Sequence, residues 1–288
     1  MPIIDAQLHA YERDRPERPW HKALTGPPEA TGEQTVAILD EAGVDGAILV
    51  SAFTMYRYDA SYAVEVRNRY PHRFALVRPV DPANPTVADV ISEWKHTPGA
   101  VAVRMLLVRS GLATDPADPG LNGVLKEAAR WSLPVNLHIA GRLDQGIELI
   151  RRNPDTQIVV DHLGLVQPHE PPLPDEPWAE LPKVLTLAAL DNVALKITGA
   201  CTLSKEPFPY GDIWDPVCRL IDAFGIDRCM WGTDWTRAVK FLTYAQGVDA
   251  FRLTGRISDG DRAALMGGTL ARIYGWAPQS RAARRSSA

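Results

Sequence analysis

The chain has 288 residues, 45% apolar and 23% charged, with a formal charge of −4. That composition describes an ordinary globular protein, and its mild acidity argues against nucleic acid or an anionic membrane as partner, since both need a basic face. No apolar run approaches the roughly 20 residues needed to span a bilayer, and the start "MPIIDAQ" lacks the basic and long apolar regions of a secretory signal. Three cysteines, Cys201, Cys218 and Cys229, with no Cys-x-x-Cys pair, fit reduced thiols in a cytoplasm and speak against a zinc–thiolate site.

In chain order, apolar β-rich runs alternate with helical patterns. The strands are expected at "PIIDAQLH", "DGAILVS", "RFALVRPV", "AVAVRML", "PVNLHIA", "QIVVDHL", "NVALKIT" and "RCMWGTD". Between them, "GEQTVAILDEAG", "SYAVEVRNRY", "LNGVLKEAARW", "GRLDQGIELIRRN" and "GDIWDPVCRLIDAFG" carry apolar residues at helical spacing, and several end at Gly or Asn. Such alternation predicts a parallel sheet covered by helices. Eight strands point to a closed (β/α)₈ TIM barrel in one domain over residues 1–278, with a doubly wound open sheet as the rival. The Pro-rich stretch from Val166 to Pro182 is read as a long non-helical loop over the barrel mouth or, equally, as a surface excursion. Residues 279–288, "QSRAARRSSA" from Gln279 on, are read as a disordered tail.

In a barrel, polar residues at the C-terminal ends of strands meet the substrate. Alternation along the first strand puts Asp5, Gln7 and His9 on one face. The other strand ends supply Arg78, Arg104, Asn136 and His138, His162, Lys196 and Thr198, and Asp234. Taken singly, a strand-end His is more often a hydrogen-bonded structural residue, and a strand-end Asp more often a helix cap. Three His and one Asp, each after a strongly apolar run and on four different strands, instead favour one shared site. His21, His72, His96 and His169 are read as surface residues, with His21 a weak candidate for the mouth. Arg78, Arg104 and Lys196 would suit an anionic small molecule, but salt bridging to Asp5, Asp45 or Asp81 is the alternative, and for Lys196 at least as good a one.

The segments "DAQLH", "VNLHIAG", "VVDHLG", "LKITG", "MWGTDW" and "PYGDIWDPVCRLIDAFGIDRCMWGTDW" resemble signatures of the amidohydrolase superfamily. Within it they are most similar to the lactonase branch that includes 2-pyrone-4,6-dicarboxylate lactonase. The resemblance implies a hydrolase that opens a lactone or similar ester of a carboxylated small molecule. It implies Asp234 as the base that activates water, His162 as a contact to the substrate or its polarised carbonyl, and Arg104 as the anchor of a substrate carboxylate; beside His162, His9 and His138 are read from their strand-end placement as further groups that polarise the carbonyl. Gln7, Arg78, Asn136 and Tyr210 are further substrate-binding candidates, with Tyr210 and Asp212 as pocket wall or helix cap.

Metal-dependent members would use the positions of Gln7, His9, His138 and Asp234. A neutral amide is a weak donor to zinc, so Gln7 in place of the first His favours a site without metal or other cofactor, for which pyrone lactonases are a precedent. A divalent ion such as zinc, held by His9, His138 and Asp234, stays as the alternative, in a metal-dependent amidohydrolase or decarboxylase. A barrel that binds a metabolite without turning it over is the third reading. Lys205 is expected to stand in for an arginine that pyrone lactonases carry after the seventh strand. The sequence does not speak to oligomeric state.

Overall fold

The structure is a computed structural model that describes residues 1–23, 26–107 and 112–279. Eight parallel strands run in sequence order around a barrel: β1 Ile4–Leu8, β2 Gly46–Val50, β3 Phe74–Pro79, β4 Ala100–Leu106, β5 Val135–His138, β6 Ile158–Val160, β7 Val193–Thr198 and β8 Cys229–Gly232. All eight expected strands are present, each trimmed by a residue or more at its ends except β4. The helices between β1 and β4 are α1 Gly32–Ala42, α2 Phe53–Tyr56, α3 Ser61–Arg69 and α4 Val87–Lys95. Then follow α5 Pro119–Arg130, α6 Leu143–Arg151, α7 Leu181–Leu185 and α8 Trp214–Phe224, and after β8 come α9 Trp235–Ala238, α10 Tyr244–Arg252, α11 Asp259–Ala263 and α12 Thr269–Tyr274.

Local chemistry sets the helix ends. Thr31 and Gln34 form a reciprocal capping box on α1, and Gly43 ends it at φ 72°. Thr243 and Gln246 repeat the box on α10, while Asp118 caps α5 ahead of Pro119. The start of α7 at Leu181 corrects the expectation that the stretch to Pro182 is wholly non-helical: Pro182 occupies the first turn, where a missing N–H costs nothing. Of the expected tail only Gln279, whose N–H donates to His72 O, lies within the described residues.

Alternation in the strands divides the core in two. Ile48, Val50, Ala75, Val77, Val159, Ala194 and Met230 fill the barrel, joined by Leu270 and Tyr274 of α12. Their neighbours, such as Ala47, Leu49, Leu76 and Leu195, pack outward under the helices.

β1 departs from simple alternation. Asp5 pairs with Ala47 and Leu8 with Leu49, so three steps on β1 match two on β2, which is a β-bulge. The expectation that Asp5, Gln7 and His9 share one face is therefore corrected. Asp5 turns to the seam with β8 and to α10, where it accepts bonds from the N–H groups of Gln7 and Thr233 and from the hydroxyls of Thr233 and Tyr244. Together with Asp234 N–H donating to Gln7 O at 3.0 Å, these bonds join β8 to β1.

Candidate active site

At the C-terminal ends of the strands lies a cavity of about 280 Å³, lined among others by His9, Arg104, His138, His162, Asp234 and Arg237. Five of the residues singled out from the sequence thus meet in one hollow. Each is delivered by a different strand end, and two need unusual backbone: Asp234 at φ 50° and His162 at φ 53° are left-handed residues without glycine's freedom.

Asp234 is buried at the floor of this cavity. Its Oδ2 accepts from Arg237 Nε at 2.6 Å, and His162 Nδ1 stands 3.6 Å away. Among the described residues its Oδ1 has only the His9 Nε2 nitrogen nearby, at 3.3 Å. Burial acts to raise the carboxyl pKa, but the charge of Arg237, with His162 and His9, outweighs it and holds Asp234 well below the usual carboxylate range.

The hydrogen-bond partners assign both sides of the His9 ring. His9 Nδ1 lies 2.7 Å from Val50 O, a pure acceptor, so that nitrogen carries the proton. Its Nε2 faces Gln7 Nε2 at 3.4 Å. The orientation of the Gln7 amide follows from Lys196, whose ammonium can only donate and reaches Gln7 Oε1 at 2.8 Å. Gln7 therefore turns its NH₂ to His9.

His162 is held as firmly. Its Nε2 accepts from Arg104 Nη2 at 3.3 Å, and its Nδ1 lies 3.1 Å from the Thr198 hydroxyl. Burial pushes its pKa down to about 3, against the pull of Asp234 and Asp161. His138 packs edge-on to His162 at 5.0 Å, and burial with the nearby His162 and Arg104 holds it well below the ordinary histidine value. Its Nδ1 has no hydrogen-bond partner among the described residues. Beneath these rings Asp161 joins the cations: Arg104 Nε donates to its Oδ2 at 2.8 Å, and Lys196 Nζ lies 3.1 Å from its Oδ1.

Several expected residues lie elsewhere. Arg78 is outside the cavity lining; it donates to Tyr58 O and lies over the Trp94 ring in the helix layer, because Ala75 and Val77 take the inward positions of β3. Asn136 points into the barrel below the cavity, where its Oδ1 accepts from Tyr274. Tyr210 packs against Phe208, and Asp212 accepts from the Lys205 N–H, both away from the cavity lining. Lys205 lies in a separate hollow with Asp175 and Trp178. Lys196 does form a salt bridge, but to Asp161 rather than to Asp5, Asp45 or Asp81.

The sequence reading missed Asp161, Arg237, Gln167 and the placement of His169 on the cavity wall. Parity could have found Asp161, two residues after the inward Val159. Arg237, one helical turn beyond Asp234, was also within reach. Arg237 further donates to Pro168 O and to Gln167 Oε1, and Gln167 donates to Thr198 O, so the Pro-rich stretch is pinned to the mouth at its start.

A family model described as amidohydrolase matches residues 4–276. Among curated proteins, 4-sulfomuconolactone hydrolase of Rhizobium radiobacter is 26% identical over 75% of this chain and 69% of its own length. L-fucono-1,5-lactonase of Burkholderia ambifaria is 28% identical over 69% of this chain and 67% of its own. Among solved structures, a zinc-bound amidohydrolase of Burkholderia multivorans superposes with a TM-score of 0.78 at 21% identity, covering 96% of this chain and all of that one.

Proposed function

This chain is a hydrolase belonging to the amidohydrolase family, and from that premise we propose that its cavity opens a lactone of a carboxylated small molecule, with Asp234 as base and without a metal ion. The observation that carries the reading is the buried Asp234 carboxylate, one oxygen held by Arg237 and the other beside His9, sharing its cavity with a neutral His138 whose Nδ1 has no partner among the described residues.

Two neighbouring cations argue against a divalent ion at the alternative donor set. Gln7 Oε1 is already taken by the Lys196 ammonium, and Asp234 Oδ2 by the Arg237 guanidinium. An ion among Gln7, His9, His138 and Asp234 would stand beside two buried cations in a low-dielectric interior, where like charges repel strongly. Among the described residues, no three His, Cys, Asp or Glu side chains are grouped to hold a metal.

The chemistry then runs on side chains. Asp234, ionised at neutral pH, takes a proton from water as its oxygen adds to the lactone carbonyl. The charge developing on the carbonyl oxygen is met by an N–H of neutral His138 and by Arg104, whose guanidinium is held in advance by Asp161 and His162. His162, which accepts from Arg104, is a bracket that orients the arginine. His9 Nε2 lies between a donor, Gln7, and an acceptor, Asp234, so it is hydrogen-bonded whether bare or protonated. It passes the proton from Asp234 to the ring oxygen as the C–O bond breaks, giving the hydroxy acid. Lactones suit a site without a Lewis acid better than amides, whose leaving group is poorer. Two curated relatives named for lactone hydrolysis support the substrate class, and the arginines on the wall favour an anion.

The test is a panel of carboxylated lactones with wild-type protein and Asp234→Asn, before and after chelation. The reading predicts turnover that survives chelation and falls by about 10³-fold in the variant. Metal-dependent turnover, or near-normal rates without the carboxylate, overturns it.

A further inference from the structure

The cavity shares a wall with a second hollow of about 490 Å³, lined by residues from Glu17 to His21 and by Met55, Tyr56, Arg57, Asp59 and Ser61. Met55 lines both. The loops after β1 and β2 that form the hollow are tied together, with His21 N–H donating to Met55 O at 2.7 Å.

The cations and anions of this hollow differ in how far they are occupied. Arg18 is taken up by Glu12 and Glu65. Asp59 accepts from the N–H and hydroxyl of Ser61. Arg57 has no carboxylate partner among the described residues. Its guanidinium donates to His21 Nε2 and lies 5.3 Å from the centroid of Phe53, a ring that walls the main cavity. A guanidinium has five N–H donors and no acceptor. With His21 Nε2 occupied as acceptor, the pair presents N–H groups to the space around it; Glu17, on the exposed rim, is the remaining anion there.

The backbone supplies a second observation. Arg57 has φ 52° and ψ −118°, a conformation that glycine adopts freely and other residues hold only at a cost of about 1–3 kcal/mol. An arginine therefore sits where glycine would be unstrained.

We propose that Arg57, assisted by His21, is a second anion subsite, holding a carboxylate at the end of the substrate remote from the bond that is cleaved. The substrate class is then a lactone bearing an anionic group on an arm long enough to pass Met55 and Phe53. Which end is cleaved rests on the lactonase reading, but the subsite itself is a matter of binding.

Calorimetry with two probes of equal length, adipate and hexanoate, tests it on wild-type protein, Arg57→Met and Arg57→Gly. Arg57→Gly removes the cation from a backbone that glycine adopts without strain, so the fold is kept. Wild type is expected to bind adipate at least about tenfold more tightly than hexanoate, as a charge-assisted hydrogen bond warrants, and both variants are expected to lose that margin. An unchanged margin in the variants, or none in wild type, overturns the subsite. Lactone turnover is read in parallel. Arg57-dependent adipate binding without turnover upholds the subsite and removes the hydrolytic assignment, whereas turnover without the margin does the reverse.

Discussion

Lys196 Nζ donates to Gln7 Oε1 across 2.8 Å inside the barrel, joining residues 189 positions apart in the chain. This bond converts the glutamine into an oriented donor facing His9, and it places a cation beside the position where a metal-dependent relative would need a ligand.

Gln7→His is therefore expected not to create a zinc site. The imidazole would restore a His-x-His pair, yet Lys196 and Arg237 would still stand against the incoming charge. Elemental analysis of the variant after growth with added zinc should find well under one equivalent. Stoichiometric, activating zinc would show that the resident cations do not decide the matter.

The buried cluster of Asp161, Lys196 and Arg104 predicts unequal costs. Lys196→Met leaves Asp161 with one of its two cations, whereas Asp161→Asn strands both. Removing one partner of a buried pair costs on the order of 3–5 kcal/mol, so Lys196→Met should fall in that range or just below and Asp161→Asn should lose more. Urea denaturation at neutral pH ranks them, and the reverse order would contradict the charge assignment.

Arg237 predicts the acid side of the rate profile. Because it helps hold Asp234 well below the usual range, wild-type activity should persist to lower pH than an ordinary carboxylate base would allow. In Arg237→Gln burial acts with less opposition, the carboxyl pKa rises, and the acidic limb of kcat/KM should move to higher pH. Arg237→Lys keeps the charge and should restore much of the shift, although it loses the fork that grips Pro168 and Gln167. An acidic limb that does not move in Arg237→Gln would dissociate Asp234 from the rate.

Asp5 predicts a separate effect on stability. Burial raises its pKa to about 6 against the lowering effect of bonds from Thr233, Gln7 and Tyr244. Between pH 4 and 6 the native state then holds more protons than the unfolded state, so stability falls as pH rises through that window, by about 3 kcal/mol in total. Asp161 and Asp234 act in the opposite sense and lower down, contributing stability that is present above about pH 4 and lost on further acidification. Asp5→Asn should flatten the upper window while leaving the lower one. Denaturation midpoints from pH 3 to 7 distinguish the two.

How much of this was legible beforehand differs from residue to residue. The apolar runs behind β2, β4 and β7 announce buried strands by themselves, since burying such a run in a parallel sheet is a local demand of its own side chains. The convergence of His9, His138, His162 and Asp234 was equally readable, because a strand that ends in a polar residue after such a run ends at the same rim as its neighbours. Arg78 shows where this reasoning stops: a single position of parity separates the barrel interior from the helix layer, and its place one beyond the inward Val77 sends it outward.

The sequence by itself thus determined the barrel, the rim where its polar strand ends converge and the family resemblance, all of which rest on patterns within a few residues. The tertiary structure alone decided which polar groups meet: the bulge that turns Asp5 from Gln7, Lys196 against Gln7 and Asp161, and Arg104 against His162. Those pairings depend on register and long-range closure, where one inserted residue redirects a side chain to another face, and no local pattern encodes that displacement.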